Sequence, residues 1–177
     1  MVGVYPMNRG ENLTGVVLVA HPLLRDPNFR RTVIFISQHS PDDGAMGFVL
    51  NRPVEVLQAA ESQFPVFHGG PVEPDSMIVT SIQWRETPPT VAFRSFTEMP
   101  TDEDRGWMEG MRIFAGYSGW SPGQLERELE SQSWVVVAPN RDLIEMREPE
   151  QVWNRIMRET SPVLRLLAEA PENPEWN

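Results

Sequence analysis

The sequence predicts an α+β fold built on a largely antiparallel sheet. Two observations carry the prediction. Short apolar or alternating runs succeed one another through most of the chain, joined mainly by tight turn chemistry. Segments with helical spacing are gathered late, so strands and helices do not alternate as they do around a parallel sheet. The composition agrees: 177 residues with 40% hydrophobic content suffice for one core, and no linker or repeat divides them. The expected unit is a single domain over 1–177, with 1–12 and 171–177 as flexible ends.

Gly15 to Ala20 is continuously apolar, the mark of a strand buried on both faces, and His21-Pro22 ends it. Leu23 to Arg31 is a connection holding the turn former Asp26-Pro27-Asn28. Thr32 to Ser37 is a β-branched strand with Val33 and Phe35 on one face. His39 to Gly44 is turn chemistry, and Met46, Phe48 and Leu50 alternate after it. Thr32–Gln38 against Ala45–Leu50 is therefore a hairpin, and mid-strand Gly47 marks a bulge or a close backbone approach. Asn51-Arg52-Pro53 terminates it, and Val54 to Gln63 reads as a short helix or an irregular excursion.

Val66-Phe67-His68 runs into the pair Gly69-Gly70, and Met77–Ile82 and Thr90–Phe96 are strands separated by Pro88-Pro89. Thr101 caps a short acidic helix carrying Trp107, Met108 and Met111. Arg112 to Tyr117 returns as a strand and enters Ser118-Gly119-Trp120. Ser121, Pro122 and Gln124 predict a helix with Ser121 as N-cap and a capping box, burying Leu125 and Leu129. Trp134–Ala138 is a strand. Pro149 opens a helix with a Val152, Trp153, Ile156, Met157 stripe, and Ser161-Pro162 starts a last helix, read as a core helix from Val163, Leu164, Leu166 and Leu167.

Composition narrows the chemistry. The formal charge is −10 and all fifteen basic residues are Arg, which argues against non-specific nucleic-acid binding and removes any phosphate-loop or Schiff-base lysine. With no Cys there is no disulfide, thiolate metal site or thiol nucleophile. No apolar run is long enough for a membrane helix and the amino terminus lacks an apolar leader segment, so a cytoplasmic protein is expected.

Three blocks then stand together: Gly44-Ala45-Met46-Gly47-Phe48-Val49-Leu50-Asn51-Arg52-Pro53, His68-Gly69-Gly70-Pro71-Val72, and Gly116-Tyr117-Ser118-Gly119-Trp120-Ser121-Pro122-Gly123-Gln124-Leu125-Glu126. In order and spacing they resemble the YqgE/AlgH family of bacterial proteins, as do Ala20-His21-Pro22 and Trp134. The resemblance covers almost the whole chain. It implies one α+β domain whose mostly antiparallel, bifurcated sheet folds into a pseudo-barrel flanked by a few helices. It also implies a cytosolic bacterial protein of unknown biochemical function, some members carrying a transcriptional-regulator label. Two departures stand out: Phe48-Val49-Leu50 replaces the usual Leu-Val-Ile, and Ser118 stands where the family commonly has alanine.

A hydrolase can be assembled from His68-Gly69-Gly70 as an oxyanion hole and Ser118 as nucleophile, but the elbow glycine is replaced by Trp120 and every His precedes the serine. A metal site would draw on His39, Asp42, Asp43 or His68, yet paired ligand spacing is missing and the first three read as an exposed loop. No metal and no cofactor are expected. The glycines around the Ser121 helix start suggest an anion site, which Pro122 and the cap weaken. Asn51 and Arg52 are the best polar pair, either holding an acid or satisfying loop carbonyls. If the glycine blocks meet, Asn51, Arg52, His68, Gly69, Gly70, Tyr117 and Trp120 line one cleft. The expectation is a non-enzymatic binding or regulatory protein with a small acidic ligand or a protein partner. The alternatives are an indirect transcriptional regulator and a Ser118 hydrolase.

Overall fold

The computed structural model describes residues 11–54 and 62–170. The readings of 1–12 and 171–177 as flexible ends, and of Val54–Gln63 as a helix, fall wholly or largely outside the described residues. Strands β1 (Val17–Ala20), β2 (Val33–Ser40), β3 (Gly44–Val49), β4 (Val66–His68), β5 (Val72–Glu86), β6 (Pro89–Phe96), β7 (Met111–Trp120) and β8 (Trp134–Val137) form one sheet in the order β6-β5-β7-β3-β2-β1-β8, with β4 branching from β7. A 3-10 helix (Asp102–Gly110) precedes β7, and helices α1 (Gln124–Glu130), α2 (Arg141–Glu145), α3 (Pro149–Thr160) and α4 (Pro162–Glu169) come late.

β1 is buried along its whole length because it pairs with both β2 and β8 and both its faces are covered. Leu18 and Ala20 join Ile34, Ile36, Trp120, Leu125 and Trp134, while Val17 and Val19 meet the α3 stripe Val152, Trp153, Ile156 and Met157. Each large apolar side chain so buried contributes roughly 1.5–3 kcal/mol. The β2–β3 hairpin forms as its alternation requires, with a register shift between Ile36 and Gln38 beside Gly47. A Cβ on Gly47 would sit 2.6 Å from the Phe35 carbonyl oxygen, so glycine there permits the close strand approach.

The bifurcation is made by β7. One edge pairs antiparallel with β5, from Ser81↔Met111 to Val72↔Tyr117. The other edge pairs first in parallel with β4 (Val66↔Ile113 to His68↔Ala115) and then antiparallel with β3 (Gly47↔Ser118 to Ala45↔Trp120). The sheet also curls without closing. Phe93 of β6 lies 5.7 Å from Phe35 and 6.1 Å from Phe48, although β6 and β2 are not neighbours in the sheet. An aromatic cluster, not a hydrogen-bonded seam, fills the curl.

Four details depart from the sequence reading. α1 begins at Gln124 behind Gly123, whose φ is 70°, so Ser121 is not its N-cap; only half of the capping box forms, the Gln124 side chain accepting from the Ser121 N–H at 3.0 Å. Met111 opens β7 instead of ending the acidic helix. The five-residue α2 was hidden by its length, and Asn140 caps it by accepting from the Leu143 N–H at 3.0 Å. α4 is capped by Ser161 as expected but is no core helix. Val163 and Leu166 are 64% and 69% exposed, because α4 rests on α3 through Leu164 and Ala168 alone among its cluster contacts.

Candidate functional site

The glycine blocks do meet, at the branch of the sheet. Gly69 accepts from the Val49 N–H at 2.9 Å and donates to the Ala115 carbonyl at 2.8 Å, tying β3 to β7. The His68 N–H donates to the Arg52 carbonyl at 2.9 Å, and Pro53 bridges Phe67. Ser118, fully buried, donates its hydroxyl to the Gly69 carbonyl at 3.2 Å. Gly70 passes so close to Tyr117 that an added Cβ would lie 2.3 Å from its carbonyl carbon and oxygen.

The side chains at this junction nevertheless diverge. Asn51 accepts from the Val33 N–H at 2.8 Å and donates to the Arg31 carbonyl at 2.9 Å. Arg52 donates to the Asn28, Pro27 and Arg30 carbonyls at 2.7, 3.3 and 3.1 Å, holding the connection before β2. Partial burial, reinforced by Arg30, lowers its pKa from the ordinary arginine value. His68 is exposed and Tyr117 is half-buried in the phenylalanine cluster. Trp120 lies elsewhere, stacked near Phe29 and donating its indole N–H to Glu128 at 2.9 Å. The seven residues therefore do not line one cleft. Loop carbonyls already occupy the donors of Asn51 and Arg52. Arg52→Lys is expected to cost about 1–2 kcal/mol in chemical denaturation, since one ammonium cannot reach all three carbonyls that the planar fork spans.

His39 is also corrected. It is 4% exposed within β2, not on an exposed loop. Its Nδ1 accepts from the Leu13 N–H at 3.0 Å, which makes Nε2 the donor to Glu126 at 2.8 Å. Among the described residues no group of three or more His, Asp or Glu could hold a metal ion, and no helix is long and apolar enough to cross a membrane.

A different place presents unmet chemistry. Where the 3-10 helix hands over to β7, a half-open cavity of about 260 Å³ is lined by Ile82, Gln83, Trp84, Glu109, Gly110, Arg112, Glu145 and Arg147. Arg112 is 8% exposed and donates to the Ile144 carbonyl, yet among the described residues it has no carboxylate partner. Burial lowers its pKa to about 10, so it remains a cation at neutral pH. Gln83 is 7% exposed and its Nε2 has no hydrogen-bond partner. Gly110 is required beside it, because a Cβ there would lie 2.4 Å from Gln83 Cγ. The signal in the sequence was a charged residue in register with Phe114 on an inward-facing strand, which Arg112 shares by parity.

A branched, unclosed antiparallel sheet with glycine-enforced crossings and late helices defines an α+β protein of the AlgH type. The AlgH-like family model matches residues 17–164, and the chain belongs to that family. It is 33% identical to a UPF0301 protein of Thermobifida fusca, over 94% of this chain and 96% of that one. It is 34% identical to a UPF0301 protein of Chlorobium phaeobacteroides, over 97% and 100%. Among solved structures, it resembles a crystal structure of a Corynebacterium diphtheriae protein with TM-score 0.74 at 25% identity, over 93% of this chain and 95% of that one. The solution structure of the AlgH protein from Pseudomonas aeruginosa gives TM-score 0.58 at 25% identity, over 96% and 100%.

Proposed function

We propose that this chain is a non-enzymatic cytoplasmic binding protein whose regulatory action follows occupancy of the Arg112 cavity by a small acidic ligand. One observation carries the reading: a buried guanidinium opens on a cavity without a carboxylate to answer it. Leaving a buried charge uncompensated is costly, and an incoming acid supplies the missing partner. Ser118 is engaged by the Gly69 carbonyl and serves the branch of the sheet, which favours binding over acyl transfer.

Native mass spectrometry of the protein purified from its own host tests this. The expected result is a retained small acid, absent from Arg147→Gln, a change at the exposed mouth that leaves the fold intact. Protein that emerges bare at every concentration sinks the reading.

A further inference from the structure

The lining of the Arg112 cavity carries both signs of charge, and this narrows the acid it takes; the argument rests on the binding reading above. Arg112 within and Arg147 at the mouth are positive, while Glu109 and Glu145 are negative. Glu145 is paired with Arg141 at 3.1 Å. Glu109 and Arg147 have no ion-pair or hydrogen-bond partner among the described residues. The unmet groups facing the cavity are thus two cations and one anion.

A phosphate or dicarboxylate satisfies the arginines only by bringing its full negative charge past Glu109 and Glu145. The like charge of the lining glutamates disfavours it. A carboxylate that travels with its own ammonium avoids that conflict. Its planar, two-oxygen head matches a guanidinium, and its ammonium matches an unpaired glutamate. Ile82 and the half-buried Trp84 supply an apolar wall, and about 260 Å³ is at the small end of ligand pockets.

We infer that the cavity binds a small zwitterion of the free α-amino-acid class with an apolar side chain, its carboxylate on Arg112 and Arg147 and its ammonium on Glu109. Gly110 keeps the floor open, since any side chain there meets Gln83.

Calorimetric titration of the full chain with four probes tests this: leucine, its deaminated analogue 4-methylvalerate, its decarboxylated analogue isoamylamine, and inorganic phosphate. Leucine is expected to bind, with either one-ended analogue about tenfold weaker or worse and phosphate weaker still. Glu109→Gln, an exposed change, is expected to weaken leucine about tenfold while strengthening 4-methylvalerate, whose repulsion from Glu109 it removes, and Arg147→Gln to weaken both. If 4-methylvalerate or phosphate binds as well as leucine, the zwitterion inference is overturned while the acid-binding reading stands. If no probe binds, the inference is overturned and the retained mass in the native spectrum alone decides the binding reading.

Discussion

Gly70→Ala is expected to destroy the fold or remove most of its stability, while Gly106→Ala is expected to pass almost unnoticed. The contrast follows from what each new methyl meets. At Gly70 it would lie 2.3 Å from the carbonyl carbon and oxygen of Tyr117 and 2.4 Å from the Ser118 nitrogen. These are backbone atoms of β7, which is pinned by β5 on one edge and by β3 and β4 on the other. β7 cannot yield without breaking pairing, and Ser118 is fully buried behind the contact. A loss above about 4 kcal/mol is expected, against a total of about 5–15 kcal/mol for a domain. Gly106 meets no heavy atom within 4 Å, so its substitution should stay within about 0.5 kcal/mol. Soluble yield and urea unfolding followed by near-ultraviolet circular dichroism compare the two. A Gly70→Ala protein with near-native midpoint would mean that the link between β4 and β5 does not press on β7 at the branch.

Local chemistry made much of this fold legible. The hairpin β2–β3, the β5–β6 pair, the α3 stripe and the Ser161 cap are each written within a few neighbouring residues, as period-two alternation, turn formers or a cap. The branch depends on pairings that no local pattern encodes. β4 has three residues and pairs in parallel with a strand more than forty positions away, and glycines mark only that some close approach occurs there. His39 shows the same limit: beside Ser40, Asp42 and Asp43 it looks like loop chemistry, and only the return of Leu13 and Glu126 to it explains its burial. Asn51 and Arg52 stand out in the sequence as a polar pair in a constrained motif, but Asn51 spans the Arg31 carbonyl and the Val33 N–H while Arg52 holds carbonyls of the loop before β2, all eighteen or more positions earlier. The Arg112 cavity was illegible for a related reason, since its walls come from β5, the end of the 3-10 helix, β7 and the short α2 with the residues after it, which only the fold assembles.

Glu128→Leu is the second large effect expected, and it tests the other end of β7. One carboxylate oxygen of Glu128 accepts both the Trp120 indole N–H at 2.9 Å and the Trp134 indole N–H at 2.8 Å. Its other oxygen accepts from the Gln124 side chain at 2.9 Å. The two indoles are each 5% exposed, meet edge to face at 6.1 Å, and enclose Phe29. Leucine keeps the helical propensity and much of the volume of α1 at this position, so the change isolates the lost acceptor. Two buried N–H donors left unmade cost about 1–3 kcal/mol each. Glu128 is only half-buried, so water recovers part of that, and a net loss of about 3 kcal/mol is expected. For a domain of this size that lowers Tm by about 6–12 °C, with a red shift in tryptophan emission as the indoles loosen. Glu128→Gln retains a carbonyl acceptor and should lose only about 1 kcal/mol, the difference between a charge-assisted and a neutral bond. The decisive comparison is Glu128→Leu in a Trp134→Phe background. If the carboxylate anchors the pair, its removal costs less there than in the native chain, because one of the two donors has already gone. Equal costs in both backgrounds would mean that Trp134 draws nothing from Glu128, and that packing alone holds α1 against β7 and β8.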